Sequence, residues 1–227
     1  MILSHALRAS NGAIDVTYLG RFDSASAAGT TISFSSVDFG IESATRRIYI
    51  SILANPATSG PTATLTSATI DGNSATIIAE NPSSTASIVI QGLIAVALPT
   101  GTSGTVTLTF SQNIFAASGV IFVYGVTNQT SSIATALVQE VSILQLSSTT
   151  SESSSVSTAS SGFMIGTLAT LFTVDNMTYT NMPINSGSAS ATKFTGLQTN
   201  TSGSSTTYGF SWTVNSPSNR YFVSLKG

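Results

Sequence analysis

Apolar and polar residues alternate with a period of two along most of the chain, and no window of a dozen residues sustains the 3.6-residue period of an amphipathic helix. That pattern predicts strands. The clearest is Thr105-Val-Thr-Leu-Thr-Phe110, which sets Val106, Leu108 and Phe110 on one face and three threonines on the other. From Arg46 to Leu53 the pattern points Ile48, Ile50 and Ile52 inward. Near the C-terminus Tyr208, Phe210, Trp212 and Val214 alternate with Gly209, Ser211 and Thr213, which places Trp212 in the core. Two runs, Leu93–Leu98 and Gly119–Val126, are apolar on both faces. Such runs belong to central strands covered on both sides, or to a contact between subunits.

Turn residues separate these runs. Asp71-Gly72, between Thr62–Ile70 and Ser74–Ala79, is the strongest hairpin signal because both residues tolerate positive φ. Asn55-Pro56, Asn81-Pro82, Pro99-Thr-Gly101 and the stretch Asn215–Asn219 punctuate the rest. The spacing predicts roughly 12 to 14 short strands and a two-sheet antiparallel β-sandwich of jelly-roll type with essentially no helix. The first convincing strand starts at Asp15, so residues 1–14 read as an N-terminal arm and residues 15–227 as a single sandwich domain. Within it, Ser147-Ser-Thr-Thr-Ser-Glu-Ser-Ser-Ser155 is low in complexity. It is either a linker or part of a strand or long loop.

Composition narrows the function classes. Of 227 residues, 41% are hydrophobic and only 7% charged, with a formal net charge of -2. The apolar content is enough to build a core, while the dispersed arginines cannot neutralise a nucleic-acid backbone. Without cysteine there is no disulfide framework, zinc-thiolate site or iron-sulfur cluster. Serine (40) and threonine (34) make up about a third of the chain and supply a neutral surface that hydrates well on the open face of a sheet. The longest apolar stretch, Ile88–Leu98, is interrupted by Gln91 and Gly92 and is far shorter than the ~20 residues of a membrane-spanning helix. The first residues carry no secretory pattern, so the chain is expected to be made and kept in a cytoplasm.

Catalytic patterns are sparse. The only histidine, His5, falls in the arm, and there is no Gly-x-Ser-x-Gly elbow. A glycan hydrolase needs only two carboxylates, and Asp38, Glu42 and Glu80 are its candidates, although loop solvation accounts for them equally well. Asp71-Gly-Asn-Ser imitates the start of a calcium loop, but the twelfth position is Pro82, which carries no bidentate carboxylate. No phosphate-cradling glycine motif occurs. No cofactor and no metal are expected. Two segments are candidate assembly contacts. One is the arm, through Ile2, Leu3 and Leu7; the other is the stretch Asp175–Asn185, through Met177, Tyr179 and Met182, since amphipathic aromatics and Met favour interface cores. The second stretch could equally plug an open end of its own sandwich.

The runs Arg47-Ile-Tyr-Ile-Ser-Ile-Leu, Thr66-Ser-Ala-Thr-Ile-Asp-Gly-Asn-Ser-Ala-Thr, Pro99-Thr-Gly-Thr-Ser-Gly-Thr-Val-Thr-Leu-Thr-Phe and Arg220-Tyr-Phe-Val-Ser-Leu together resemble the jelly-roll proteins of tailed-phage virions. The resemblance implies a non-enzymatic virion part: head decoration, head fibre, or tail or baseplate component. Its partners would be other copies of itself, as a trimer, and capsid or tail proteins, with no nucleic acid and no membrane involved. The alternative is a carbohydrate- or receptor-binding adhesin that reads host glycans through loop residues such as Tyr179 and Asn181. Lysine is nearly absent, so sheet edges lack their usual blocking charges and are expected to be covered by neighbouring subunits.

Overall fold

The computed structural model describes residues 14–83, 89–175, 178–182, 184–186, 190–199 and 201–227. Its first nine strands are β1 (Asp15–Asp23), β2 (Gly29–Asp38), β3 (Arg47–Ala54), β4 (Leu65–Ile70), β5 (Asn73–Ser74), β6 (Thr76–Asn81), β7 (Ile90–Ala97), β8 (Ser103–Ile114) and β9 (Val120–Thr127). One turn of 3-10 helix, Ile133–Thr135, leads into the second half. There follow β10 (Leu137–Ser157), β11 (Phe163–Asp175), β12 (Thr178–Thr180), β13 (Ile184–Ser186), β14 (Ser190–Thr199) and β15 (Ser205–Leu225). The chain is an all-β sandwich, with no α-helix among the described residues.

An inner sheet has the order β1-β9-β3-β7-β6, and a second sheet has the order β2-β8-β4-β5. The antiparallel pairs are nested: β1 lies on β9, β2 on β8, β3 on β7 and β4 on β5. Asp71 (φ 51) and Gly72 (φ 76) both adopt positive φ, which makes the β4–β5 turn the expected primed hairpin. After Ser74 the strand leaves the second sheet, and β6 joins the inner sheet beside β7. A third sheet, β10-β15-β11-β14-β13 with β12 also on β15, is built from the C-terminal half. The two sheets expected from the sequence are therefore joined by a third.

The inner sheet is the middle layer. Ile48, Ile50, Ile52, Ile94, Ile121 and Val123 pack toward the second sheet against Phe34, Val106, Leu108 and Phe110. Their neighbours Tyr49, Leu53, Leu93, Phe122, Tyr124 and Val126 pack on the other side against Phe163, Ile165, Tyr221 and Val223 of the third sheet. The alternation from Ile48 to Ile52 suggested a half-buried strand, but β3 is buried at every position after Arg47. The apolar runs Leu93–Leu98 and Gly119–Val126 fall almost wholly in β7 and β9, which are covered on both faces except at the end of β7, where Ala97 is exposed. Ile14, expected in the arm, is buried in the layer between the inner and third sheets.

Polar contacts fix the third sheet in place. The Tyr49 hydroxyl donates to Gln129 Oε1 at 2.7 Å, and Gln129 Nε2 donates to the Lys226 carbonyl at 2.8 Å. Gln91 Nε2 donates to the Asn219 carbonyl at 3.2 Å, and Asn219 Nδ2 returns a bond to the Val89 carbonyl at 3.2 Å. Each satisfies a group that burial would otherwise leave costly.

β10 and β15 are 21 residues each, much longer than the short strands the sequence suggested. Their register shifts between Gln145 and Ser151, where five residues of β15 oppose two of β10 from Thr149 to Ser151. Such a shift bends a ribbon, and the distal half folds over the outer face of its own sheet. Tyr208, Phe210 and Trp212 thereby close a third apolar cluster with Val156, Met164, Leu168 and Phe222. The serine run 147–155 lies within β10 and is not a linker. Arg220 on one half of the ribbon pairs with Glu152 on the other, both nearly buried, and Arg220 Nε also donates to Ser154 Oγ at 3.0 Å.

Two outcomes follow from this layering. Ile50→Ala and Phe122→Ala, on opposite faces of the inner sheet, should each lower the unfolding free energy read from urea titration, by about 2–5 and 3–5 kcal/mol respectively. Arg220→Met should cost about 3–5 kcal/mol by leaving Glu152 buried without its partner, and adding Glu152→Met should recover most of that loss in the same unfolding measurement.

Candidate functional site

A groove of about 390 Å³ lies at the β1 end of the inner sheet, on the face turned toward the second sheet. Asp15, Thr17 and Leu19 of β1 and Gly125 and Thr127 of β9 form one wall. Residues 39–46, the connection from β2 to β3, form the other. Alternate residues of β1 line it because side chains in a strand repeat every second position.

Arg46 sets the shape of the groove. Its side chain is only 2% exposed, yet it reaches five carbonyl oxygens. Nε donates to Leu98 at 2.7 Å; Nη1 donates to Phe39 at 3.1 Å and Gly40 at 3.0 Å; Nη2 donates to Thr100 at 2.9 Å and Gly101 at 2.5 Å. A planar guanidinium with five N–H donors can tie two loops together in this way, where a single ammonium could not. Burial lowers the Arg46 pKa, and the charges of Glu42 and Asp38 oppose that shift. The Gly101 N–H donates to Glu42 Oε1 at 2.6 Å, and the Gly40 N–H donates to Asp38 Oδ1 at 2.7 Å. Gly40 has φ +70, and a Cβ there would sit 2.9 Å from Leu19, so only glycine fits without displacing the groove wall. The loop so fixed holds Ile41 out to solvent at 91% exposure.

The three candidate hydrolase carboxylates do not converge. Asp38 and Glu42 act as acceptors for the groove loops, whereas Glu80 lies on β6, at the opposite edge of the inner sheet, where it accepts the Leu65 N–H. Glu80 instead meets Glu140 of β10, a residue the sequence did not single out. Burial raises the pKa of both; the Leu65 N–H opposes this for Glu80 while the Glu140 charge raises it further, and for Glu140 the nearby Tyr221 hydroxyl opposes burial. Tyr221 is itself raised, first by burial and then by the Glu140 charge. Lys193 of β14 was also missed. It donates to the Ser118 carbonyl, and burial, helped by the Arg21 charge and opposed by Asp23, lowers its pKa to about 8. No sequence signal marks these residues, because each partner lies far away in sequence.

Of the expected assembly contacts, Ile2, Leu3, Leu7 and Met177 lie outside the described residues, as does His5. Tyr179 lies on β12, opposite Phe210 of β15. Met182 is buried at 4% exposure in the outer cluster of its own third sheet. There its flexible side chain fills apolar space left by the folded ribbon, as expected of a segment that plugs its own sandwich. Asn181 Nδ2 donates to the Thr207 carbonyl at 2.8 Å and holds the same segment down.

Among the described residues there is no group of three or more His, Cys, Asp or Glu arranged to hold a metal ion, and no helix long and apolar enough to cross a membrane. Comparison with protein-family models and with curated proteins finds no match for this chain.

Arg46→Met would orphan several buried carbonyls and should cost more than ~3 kcal/mol, with Arg46→Lys recovering only part of it, as read from thermal unfolding. For Glu80 and Glu140 the folded pKa lies above the ordinary 4.5. Their contribution is therefore fully present below that value and lost as pH rises through the folded pKa. Glu80→Gln and Glu140→Gln should each flatten this fall in a series of denaturant titrations above pH 4.5, and a wild-type slope retained in both variants would contradict the assignment.

Proposed function

We propose that the chain is a non-enzymatic structural protein of a tailed-phage virion, a jelly-roll unit that assembles with copies of itself, as a trimer, and attaches to capsid or tail proteins. The observation that carries this reading is the nested pairing of β1 with β9, β2 with β8, β3 with β7 and β4 with β5. That is the connectivity of a long hairpin rolled into two sheets, the architecture of viral capsid and lectin domains. Because fold alone does not fix function, the surface chemistry supplies the second support. The exposed faces are dominated by serine and threonine, and the carboxylates proposed for hydrolysis accept backbone hydrogen bonds at separate places.

Edge chemistry points the same way. β2 is the outer strand of the second sheet, ten residues long, with neither Lys nor Pro to block pairing. Natural edges of that length are normally protected by charge, by a bulge or by a partner. β2 has register irregularities between Gly29 and Thr31 and between Phe34 and Val37, and Ser26 Oγ bonds the backbone of Ser33; a neighbouring subunit supplies cover for the rest of the edge.

The test is native mass measurement at micromolar concentration, alone and with purified capsid or tails, combined with amide exchange along β2. The expected result is an oligomer whose β2 amides exchange more slowly than those of dissociated protein. Free monomer under every condition, with β2 equally labile throughout, would overturn the proposal.

A further inference from the structure

We infer that Lys193 is a covalent modification site, at which the side-chain amine takes up a small aldehyde, such as an open-chain aldose, as a Schiff base. Lys193 lies on β14 opposite Ala169 of β11. Ala169 is buried in the layer between the inner and third sheets, so the lysine side chain leaves the third sheet on that same face. Its Nζ donates to the carbonyl of Ser118, in the loop between β8 and β9. At the end of β1, Arg21 Nη1 donates to the Lys193 carbonyl at 3.4 Å, while Arg21 Nε and Nη2 hold the Asp23 carboxylate at 3.1 and 2.8 Å. Arg21 and Asp23 are the charged groups that act on Lys193. Neither residues 115–119 nor β13, which lie beside it, carry an ionisable side chain.

That setting favours the neutral amine. An ammonium presents three N–H donors, and among the described residues the acceptor at Lys193 Nζ is the Ser118 carbonyl. The nearby carboxylate, Asp23, is engaged by the Arg21 guanidinium through two nitrogens. A lysine desolvated beside another cation is the arrangement that activates an amine as a nucleophile. Burial and then the Arg21 charge lower the Lys193 pKa to about 8, with Asp23 opposing them. At about pH 7.5 roughly a quarter of such an amine is neutral, against about one part in a thousand for a lysine at its ordinary value. The neutral amine keeps one N–H on Ser118 and has its lone pair free. That pair forms the bond to the aldehyde carbon, and a proton passes from nitrogen to the carbonyl oxygen. The resulting carbinolamine loses water to leave a C=N bond, with nothing oxidised or reduced. Protonation of the imine restores an N–H for the Ser118 carbonyl. Because Lys193 is half-buried, the site admits a small carbonyl compound rather than a bulky one.

Lys193 and Lys226 are the two lysines of the chain, so one serves as the reference for the other. The full chain is incubated with glyceraldehyde and cyanoborohydride, which traps the imine as a secondary amine, and both sites are followed by peptide mass analysis. Lys193 should be modified roughly tenfold faster than Lys226 at about pH 7.5. Brief pulses of acetic anhydride across a pH series then read the amine directly, and labelling of Lys193 should reach half its plateau near pH 8. Arg21 and Asp23 have side chains 30% and 58% exposed, so substitutions there leave the fold intact. Arg21→Gln removes the neighbouring cation and should move that midpoint up, whereas Asp23→Asn should move it down. Aldehyde uptake at Lys193 no faster than at Lys226 overturns the inference. So does labelling that is still rising past about pH 9, or a midpoint that neither substitution moves.

Discussion

The inner sheet has two apolar faces, and water can be kept from both only if a layer lies on each side. β3, β7 and β9 set isoleucine and valine toward the second sheet and tyrosine, leucine and phenylalanine toward the third. A sandwich closed by residues 15–127 alone would leave Tyr49, Phe122 and Tyr124 in solvent, an exposed patch of the kind soluble monomers avoid. The C-terminal sheet is thus required by the first half of the chain. The same logic recurs one layer out, where Met164, Leu168 and Phe222 would be exposed if the long ribbon of β10 and β15 did not bend over them.

Charge is rare in this molecule, and where it occurs inside it holds backbone or bridges layers. Arg46 gathers carbonyls from two loops, and Arg220 joins the halves of the ribbon through Glu152. Lys193 ties β14 to the carbonyl of Ser118, before β9. A hydroxyl-rich exterior leaves solubility to neutral groups and frees the few ions for these internal ties. Buried hydrogen bonds define the loops around the groove, and Ile41 stays exposed beside it.

The alternation of side chains made most strands legible. Thr105–Phe110, the Asp71-Gly72 hairpin and the two doubly apolar runs lie where their patterns put them, since period and turn residues are local properties. The serine run 147–155 was ambiguous for an equally local reason: a strand with little apolar content has no periodicity to read, and only pairing with β15 makes it one. β3 illustrates a different limit. Its isoleucines marked one buried face, but Tyr49 and Ser51 gave no sign that a third sheet would bury the other.

The candidate site was less legible than the fold. Glu42 was noticed as a carboxylate, but the groove it borders exists because Arg46 draws together loops about fifty residues apart in sequence. Glu80 and Glu140 come from different sheets, and the apolar space that Met182 fills exists only because the long ribbon bends. The sequence by itself determined the strand class, the principal turns, the uncharged exterior and the double-sided burial of the middle strands, all consequences of residue type and near-neighbour spacing. Only the tertiary structure decided the layer count, the bend of the ribbon and the partner of each buried ion, because these depend on which distant surfaces can exclude water together.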